Sequence, residues 1–109
     1  FLERARTEWL RAHGIEQSAL AREHGIVFAV TELSLRFRGP ARLDDGLLAT
    51  CVLEQRGGAS LEFSQELVRP VDNARLVDAR VRAACLDAAR FKPRPIPKDL
   101  FTVFPEHAG

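Results

Sequence analysis

The hydrophobic and polar positions of this chain change their spacing once. In residues 1–13, apolar side chains recur at intervals of three and four, and charged side chains take most of the other positions. The apolar positions are Leu2, Ala5, Trp9 and Leu10. This spacing predicts an amphipathic helix that ends at Gly14. A shorter helix is predicted within residues 17–23, with Ser18 as its N-terminal cap and Gly25 after its end.

Beyond Gly25 the apolar residues recur at every second position, which predicts strands. In the first strand, from Val27 to Phe37, the odd positions are apolar almost throughout, whereas the even positions are apolar at first and polar later. We therefore expect its first half to be buried on both faces. Further alternating segments lie at residues 47–56, 59–68 and 76–86. The turn signals between strands are Gly39-Pro40, Asp44-Asp45-Gly46, Gly57-Gly58 and residues 70–73.

A helix followed by strands with mostly short connections predicts an α+β fold, in a single domain that spans residues 1–109. The strands are expected to form one curved antiparallel sheet with one apolar face. The first helix is long enough to cover that face, with Trp9 as its largest wedge. Residues 90–97 hold three of the six prolines and are predicted to be irregular, and Pro97 is expected to begin a last helical turn.

Composition narrows the function further. Sixteen basic and fifteen acidic residues give a net charge of +1, which argues against a general nucleic-acid binder. No apolar run approaches the roughly 18–20 residues of a membrane span. Cys51 and Cys85 stand among alternating apolar residues, so we expect buried free thiols in a reducing, cytoplasmic compartment. The chain starts at Phe1 and contains no methionine, so we expect its N-terminal segment to be incomplete.

Several stretches of the chain carry a family resemblance. They are Phe1-Leu2-Glu3-Arg4-Ala5-Arg6-Thr7-Glu8-Trp9-Leu10-Arg11, Pro40-Ala41-Arg42-Leu43-Asp44-Asp45, Arg56 to Leu61, Ala84-Cys85-Leu86-Asp87 and Lys92-Pro93-Arg94-Pro95-Ile96-Pro97. Together they resemble the central helix, turns, hairpin and exit segment of the hot-dog-fold acyl-CoA thioesterases. The most similar group is the one associated with the bacterial Tol-Pal system, related to 4-hydroxybenzoyl-CoA thioesterase. The resemblance covers nearly all of the chain.

The resemblance implies a hot-dog fold, in which a curved antiparallel sheet wraps around one long helix. It implies hydrolysis of acyl-CoA thioesters to a free acid and CoA, with CoA as part of the substrate and no other cofactor. The family's catalytic aspartate lies before the helix, in an Asp-x-x-Gly-x-Val-x-His type of pattern. That aspartate and the first strand are therefore expected upstream of Phe1. Amides at the helix start would stabilise the developing oxyanion, and homodimers or homotetramers joined edge to edge are implied as well.

Candidate site residues follow from the same comparison. Glu3 stands where the family has an acidic residue near the catalytic loop, so it could support the site by orienting loop amides; the alternative is a solvated helix charge. The phosphates of CoA call for basic side chains. Arg56, with Ser60 as a donor, and the pair Lys92 and Arg94 are the candidates. The alternatives are a hairpin with a solvated arginine for the first two and an exposed basic tail for the others.

Other functions stay open. A hot-dog subunit could bind acyl-CoA or acyl carrier protein without cleaving either. A dehydratase or hydratase needs a histidine paired with a carboxylate on the helix or its approach, and the sequence shows no such pair. The histidines His13, His24 and His107 have no metal-ligand spacing, so no metal is expected.

Overall fold

The computed structural model describes residues 2–40 and 46–104. Its helices are α1 (Leu2–Ala12), α2 (Gln17–His24) and a 3₁₀ turn (Lys98–Leu100). The predicted first helix and last helical turn are confirmed. The predicted second helix is confirmed and begins at Gln17, but its cap position is Glu16, which makes no side-chain capping bond. Ser18 is therefore not the cap, and Gly25 ends the helix with a left-handed backbone at φ 68°.

The strands confirm most of the predicted segments. They are β1 (Ile26–Phe37), β2 (Leu48–Ala49), β3 (Val52–Arg56), β4 (Ser60–Arg69) and β5 (Ala74–Asp87). One strand over residues 47–56 was expected, but the segment is divided at Thr50 and Cys51. The cause is the Thr50 hydroxyl, which accepts the Glu66 N–H at 3.0 Å, while the Thr50 N–H donates to the Glu66 carbonyl at 2.9 Å. The Thr50 side-chain oxygen thus accepts a hydrogen bond that a backbone carbonyl would accept in a regular strand pair.

The sheet is antiparallel throughout the described strands, in the order β1-β5-β4-β2, and β3 also pairs with β4. The predicted Gly57-Gly58 hairpin joins β3 and β4, with the Gly57 N–H bonded to the Ser60 carbonyl at 2.8 Å. The predicted turn at residues 70–73 joins β4 and β5. The predicted α+β class is confirmed. The Asp44-Asp45-Gly46 turn falls mostly outside the described residues.

A β-bulge at Thr31 changes which face each residue of β1 occupies. Phe28 pairs with Cys85 before the bulge, and Leu33 pairs with Val81 after it. Because both partners lie on the same face of β5, the even apolar positions before the bulge and the odd ones after it share one face. The expectation that the first half of β1 is buried on both faces is wrong. In that half only Ile26 is fully buried.

The core lies between the sheet, α1 and the C-terminal segment. Trp9 meets the Phe63 ring edge-on at a centroid distance of 5.4 Å and stacks against the buried Phe104 at 6.2 Å. The irregular tail runs beside the end of β5, where the Arg94 N–H donates to the Cys85 carbonyl at 3.0 Å. Trp9 is therefore the wedge expected from the sequence, and the tail closes one end of the core.

The far half of β1 is less covered than the rest of the sheet. Leu33, Leu35 and Phe37 lie on the helix-facing side, yet they are 55%, 44% and 76% exposed. β1 is an edge strand of the described sheet. No described helix is long and apolar enough to cross a membrane.

Candidate active-site cleft

A cleft of about 400 Å³ lies on the helix-covered face of the sheet. It is lined by Glu3, Arg6, Thr7, Leu10, Gln17, Phe28, Val30, Leu61, Phe63 and Ala83. The contributions from β1, β4 and β5 are all apolar, whereas α1 and α2 contribute the polar side chains. The cleft therefore has an apolar floor and a largely polar wall. Such a site accepts a molecule with a hydrocarbon part and a polar part.

The helical repeat accounts for the wall of the cleft. Glu3, Arg6, Thr7 and Leu10 are spaced by three, one and three residues, so they share one face of α1. The period of two accounts for the floor, because Leu61 and Phe63 are alternate residues of β4 and point to the same side. The cleft is thus a direct product of the two periodicities.

Arg6 and Gln65 form a polar pair between the helix and the sheet. An Arg6 guanidinium N–H donates to Gln65 Oε1 at 2.8 Å. Gln65 is only 1% exposed, and its Nε2 donates to the carbonyls of Leu2 at 2.9 Å and Thr50 at 3.3 Å. These bonds fix the amide, so its oxygen faces Arg6. The pair therefore links α1 to β4 at a site that is otherwise apolar.

Cys51 lies close to this pair. Burial raises the pKa of the Cys51 thiol to about 11, and the nearby Arg6 charge offsets part of that rise. Burial raises the pKa of Cys85 as well, with the Arg94 charge opposing it. Both cysteines are free thiols, as expected from the sequence. A thiol that stays protonated at neutral pH is a poor nucleophile.

Gln17 borders the cleft at the start of β1. Its Nε2 donates to the Phe28 carbonyl at 3.0 Å, and its Oε1 accepts the Phe28 N–H at 3.1 Å. The side-chain amide thus makes the two bonds that a neighbouring strand would make. It fixes the position of α2 beside Phe28, a residue of the cleft floor.

The predicted site residues fall into two groups. Glu3 lines the cleft, and its carboxylate has no hydrogen-bond or ion-pair partner within the described parts of the chain. Arg56 and Ser60 lie on the β3–β4 hairpin and do not line the cleft. The Arg56 Nε donates to the Phe104 carbonyl at 2.6 Å, and its guanidinium lies 3.8 Å from the centre of the Phe101 ring. The structure thus gives Arg56 a role in holding the C-terminal segment.

Lys92 and Arg94 lie on the tail beside the end of β5. Arg94 donates to the Gly25 carbonyl at 3.1 Å and lies 3.6 Å from the Asp87 carboxylate. Lys92 is exposed, and no ion pair joins its ammonium to any described carboxylate. The structure does not bring the four predicted phosphate ligands together around the cleft. Their role in binding CoA remains a prediction.

A larger depression of about 520 Å³ lies on the opposite face of the sheet. Its exposed walls are mainly charged, and Arg82 is 3.7 Å from the Glu32 carboxylate and 3.9 Å from that of Glu62. The charges of these side chains partly compensate one another, and no residue of α1 lines the depression. We therefore assign the candidate site to the smaller, amphipathic cleft. Within residues 2–40 and 46–104, no group of three histidine, cysteine or acidic side chains is placed to hold a metal ion.

Arg6 and Gln65 are site residues that were not predicted from the sequence. The signal was present: Arg6 follows Leu2 by four residues and precedes Trp9 by three, so it lies on the apolar stripe of the helix. Gln65 alternates with Leu61, Phe63 and Leu67 on the inward face of β4. Polar side chains at inward positions of both a helix and a strand indicate a polar site in the core more strongly than one such position alone.

Comparison with known proteins agrees with this geometry. Residues 1–74 match the family described as Thioesterase superfamily. The chain is 39% identical over 104 residues to the acyl-CoA thioester hydrolase YbgC of Escherichia coli O6:H1, covering 95% of this chain and 76% of that protein. It is 36% identical over 104 residues to the acyl-CoA thioesterase YbgC of Haemophilus influenzae, covering 95% and 75%.

The fold is also similar to that of a solved structure. The 1,4-dihydroxy-2-naphthoyl-CoA thioesterase of Synechocystis superposes with a TM-score of 0.80 at 19% identity, over 93% of this chain and 74% of that one. At this identity the likeness concerns the fold alone.

Proposed function

This chain belongs to the thioesterase superfamily, and we propose that it hydrolyses acyl-CoA thioesters to a free acid and CoA. The observation that carries the proposal is the cleft, which joins an apolar floor on the sheet to a polar wall on α1. An acyl chain fits the floor, and the polar thioester fits the wall. Relatives at 36–39% identity that carry this activity support the assignment.

The reaction requires a nucleophile, an oxyanion site and a leaving group. A carboxylate acts either as a base, which removes a proton from water as its oxygen attacks the thioester carbonyl carbon, or as the nucleophile itself, whose acyl product water then cleaves. The carbonyl oxygen takes up negative charge, the C–S bond breaks, and the CoA sulfur leaves as a thiolate that is then protonated. By resemblance the carboxylate is an aspartate upstream of Phe1, and amides at the helix start hold the oxyanion. Glu3, on the cleft wall, supports this site by orienting the neighbouring loop.

The CoA phosphates are proposed to lie at the end of the molecule that carries the hairpin and the tail. Lys92 is the best placed of the four candidates, because its ammonium is exposed and outside the described ion pairs. Arg94 is about half-exposed and reaches the residue that precedes β1, while Arg56 and Ser60 lie at the adjacent hairpin. This proposal places the nucleotide outside the cleft and the acyl group inside it.

The activity is tested with the full-length gene product and acyl-CoA thioesters of short and medium chain length, with release of the free thiol as the readout. We expect turnover with at least one of them. No release from any, at enzyme concentrations at which a related thioesterase turns over, would refute the proposal. The fragment of residues 1–109 is expected to be far less active than the full-length product, and equal turnover by both would show that the catalytic carboxylate lies within these residues.

The nucleotide site is tested by comparing two substrates. Lys92→Ala should raise KM for an acyl-CoA but not for the same acyl group on N-acetylcysteamine, which lacks the phosphates. Lys98→Ala is the matched control, since Lys98 is the other lysine of the chain and is exposed in the 3₁₀ turn. An equal rise in KM for both thioesters would assign Lys92 a structural role instead.

We also propose that two copies join through β1. One edge of β1 pairs with no described strand, and together with the exposed Leu33, Leu35 and Phe37 it forms a surface that a second copy could cover. Pairing of such dimers would give a tetramer. The free thiols favour a cytoplasmic location. The resemblance to the Tol-Pal-associated thioesterases supports an association of this protein with that system.

A second candidate function is the binding of acyl-CoA or acyl carrier protein without hydrolysis. The observation that favours it is that Glu3 is the only acidic residue among those lining the cleft in the described structure. Calorimetric titration of the full-length protein with acyl-CoA distinguishes the two functions. Binding without thiol release would favour the binding module, and thiol release would exclude it.

A further inference from the structure

The observation behind this inference is the position of Arg6. Arg6 lies on the sheet-facing stripe of α1, is partly buried, and lines the cleft together with Glu3 and Thr7. Arginine rarely occupies such a position without a partner of opposite charge. The other arginine in the first turns of the helix, Arg4, is unlike it: its side chain is 85% exposed and is paired with Glu8.

Arg6 is hydrogen-bonded but its charge is not compensated. Its bond is to the neutral Gln65 amide, and no carboxylate of the described residues lies within ion-pair distance of its guanidinium. Glu3 lines the same cleft without pairing with it. Gln65 is itself fixed by the carbonyls of Leu2 and Thr50, so it holds the guanidinium in one position. A guanidinium carries five N–H donors, so several remain beside the bond to Gln65.

We infer that Arg6 determines substrate specificity by binding an oxygen atom of the acyl chain, which makes hydroxyacyl or dicarboxylic acyl thioesters the preferred class. The inference rests on the proposed hydrolysis of acyl-CoA. An acceptor oxygen in the cleft would compensate a partly desolvated cation, and a hydrogen bond to a charged donor is stronger than one between neutral groups. A plain hydrocarbon chain would leave the same donors unsatisfied. A site built to bond an oxygen therefore discriminates against the substrate that lacks it.

The test uses three thioesters of equal chain length: hexanoyl-CoA, 3-hydroxyhexanoyl-CoA and adipoyl-CoA. We expect the full-length protein to have a higher kcat/KM for at least one oxygenated substrate than for hexanoyl-CoA. Arg6→Met keeps the aliphatic stem and removes the donors. It should lower the ratio of kcat/KM for the preferred oxygenated substrate to kcat/KM for hexanoyl-CoA by roughly 10- to 100-fold. Arg4→Met should leave it unchanged. Equal losses on all three substrates would overturn the inference, and so would a wild-type protein without a preference.

Two further measurements keep the test decisive. If Arg6→Met does not fold, Arg6→Gln removes the charge while retaining a donor for Gln65, and it should give the same loss of preference. Calorimetric titration with the same three thioesters separates this inference from the proposed function. Binding that favours the oxygenated chains without any hydrolysis would refute the enzymatic proposal alone, whereas hydrolysis without a chain preference would refute the role of Arg6 alone.

Discussion

Arg56, at the end of β3, is hydrogen-bonded to Phe104, forty-eight residues later in the C-terminal segment. The Arg56 Nε donates to the Phe104 carbonyl at 2.6 Å, and the same guanidinium lies 3.8 Å from the centre of the Phe101 ring. Phe104 is fully buried and packs against Trp9 and Phe28. A hairpin arginine thus holds in place the aromatic residue that completes the core beside the cleft.

This contact predicts that Arg56→Ala lowers the free energy of unfolding by about 2 kcal/mol, from the lost hydrogen bond and cation–π contact. Arg56→Lys should recover part of the loss, because an ammonium can still lie over the Phe101 ring. Urea denaturation followed by circular dichroism gives the values. Unchanged stability together with a higher KM for CoA substrates would instead assign Arg56 to the nucleotide.

The packing of Trp9 predicts a large loss of stability on truncation. Trp9 contacts Phe63, Phe104 and His13 at ring-centroid distances of 5.4, 6.2 and 3.9 Å. Trp9→Ala should lower the free energy of unfolding by about 3 kcal/mol, and Trp9→Phe by less, because Phe refills part of the space. Chemical denaturation measures both. Since Trp9 is the only tryptophan, its fluorescence in the wild type also reports directly whether α1 is docked. A change below 1 kcal/mol for Trp9→Ala would show that the helix does not pack as described.

The thiols are predicted to react slowly in the folded protein. Burial raises the pKa of Cys51 to about 11 and that of Cys85 above its usual value, so little thiolate exists at pH 8. Ellman's reagent at pH 8 should label neither cysteine quickly in native protein and both after denaturation. Rapid labelling of one thiol in the folded state would contradict the described environment, and Cys51→Ser and Cys85→Ser would identify which one.

Asp87 is predicted to stabilise the fold in a pH-dependent way. Its carboxylate accepts the backbone N–H groups of Arg90 and Ala89, each at 2.9 Å, and these bonds hold its pKa below the usual 3.8. Because the pKa is lower in the folded state, the contribution is complete above pH 3.8 and is lost as the pH falls below that value. Asp87→Ala should therefore melt at a lower temperature than wild type at pH 7.

The difference in melting temperature should narrow below pH 3.8. Asp87→Asn is the control, because its amide oxygen can accept the same bonds without titrating. A gap between wild type and Asp87→Ala that stays constant from pH 7 to pH 3 would show that the charge of Asp87 has no part in it.

The proposed dimer predicts the effect of charge at the edge of the sheet. Leu35→Glu introduces a carboxylate on the 44% exposed apolar surface of β1 and should convert the full-length dimer to a monomer at micromolar concentration. Val71→Glu is the matched control, since Val71 is 88% exposed in the turn between β4 and β5. Sedimentation velocity reports the mass. A wild-type protein that sediments only as a monomer would contradict the interface.

Local periodicity predicts much of this fold. The spacing of Leu2, Trp9 and Leu10 is sufficient to place α1, and the alternation along β4 and β5 is sufficient to place both strands and their buried faces. Short turns between them favour antiparallel pairing, and the sheet is antiparallel. These features depend on residues that are near in sequence.

The features that the sequence analysis missed depend on partners that are distant in sequence. The division between β2 and β3 arises because the Thr50 hydroxyl bonds Glu66, sixteen residues away. The bulge at Thr31 is defined by the register with β5. In the site, Arg6 is informative only because Gln65 lies opposite, fifty-nine residues later. The prediction of Glu3 as a site residue rests on the family resemblance, and the helical repeat accounts for its position on the cleft wall beside Arg6 and Thr7.

The side-chain amide of Gln17 prevents another strand from pairing with the edge of β1 at Phe28. It satisfies the Phe28 N–H and carbonyl with one side chain, so an incoming strand finds neither group available there. Any chain that adds to this edge must begin its ladder beyond Phe28, which limits the overlap and fixes which residues can meet. One glutamine thereby admits a partner in a defined register and hinders the open-ended stacking to which exposed edges are prone.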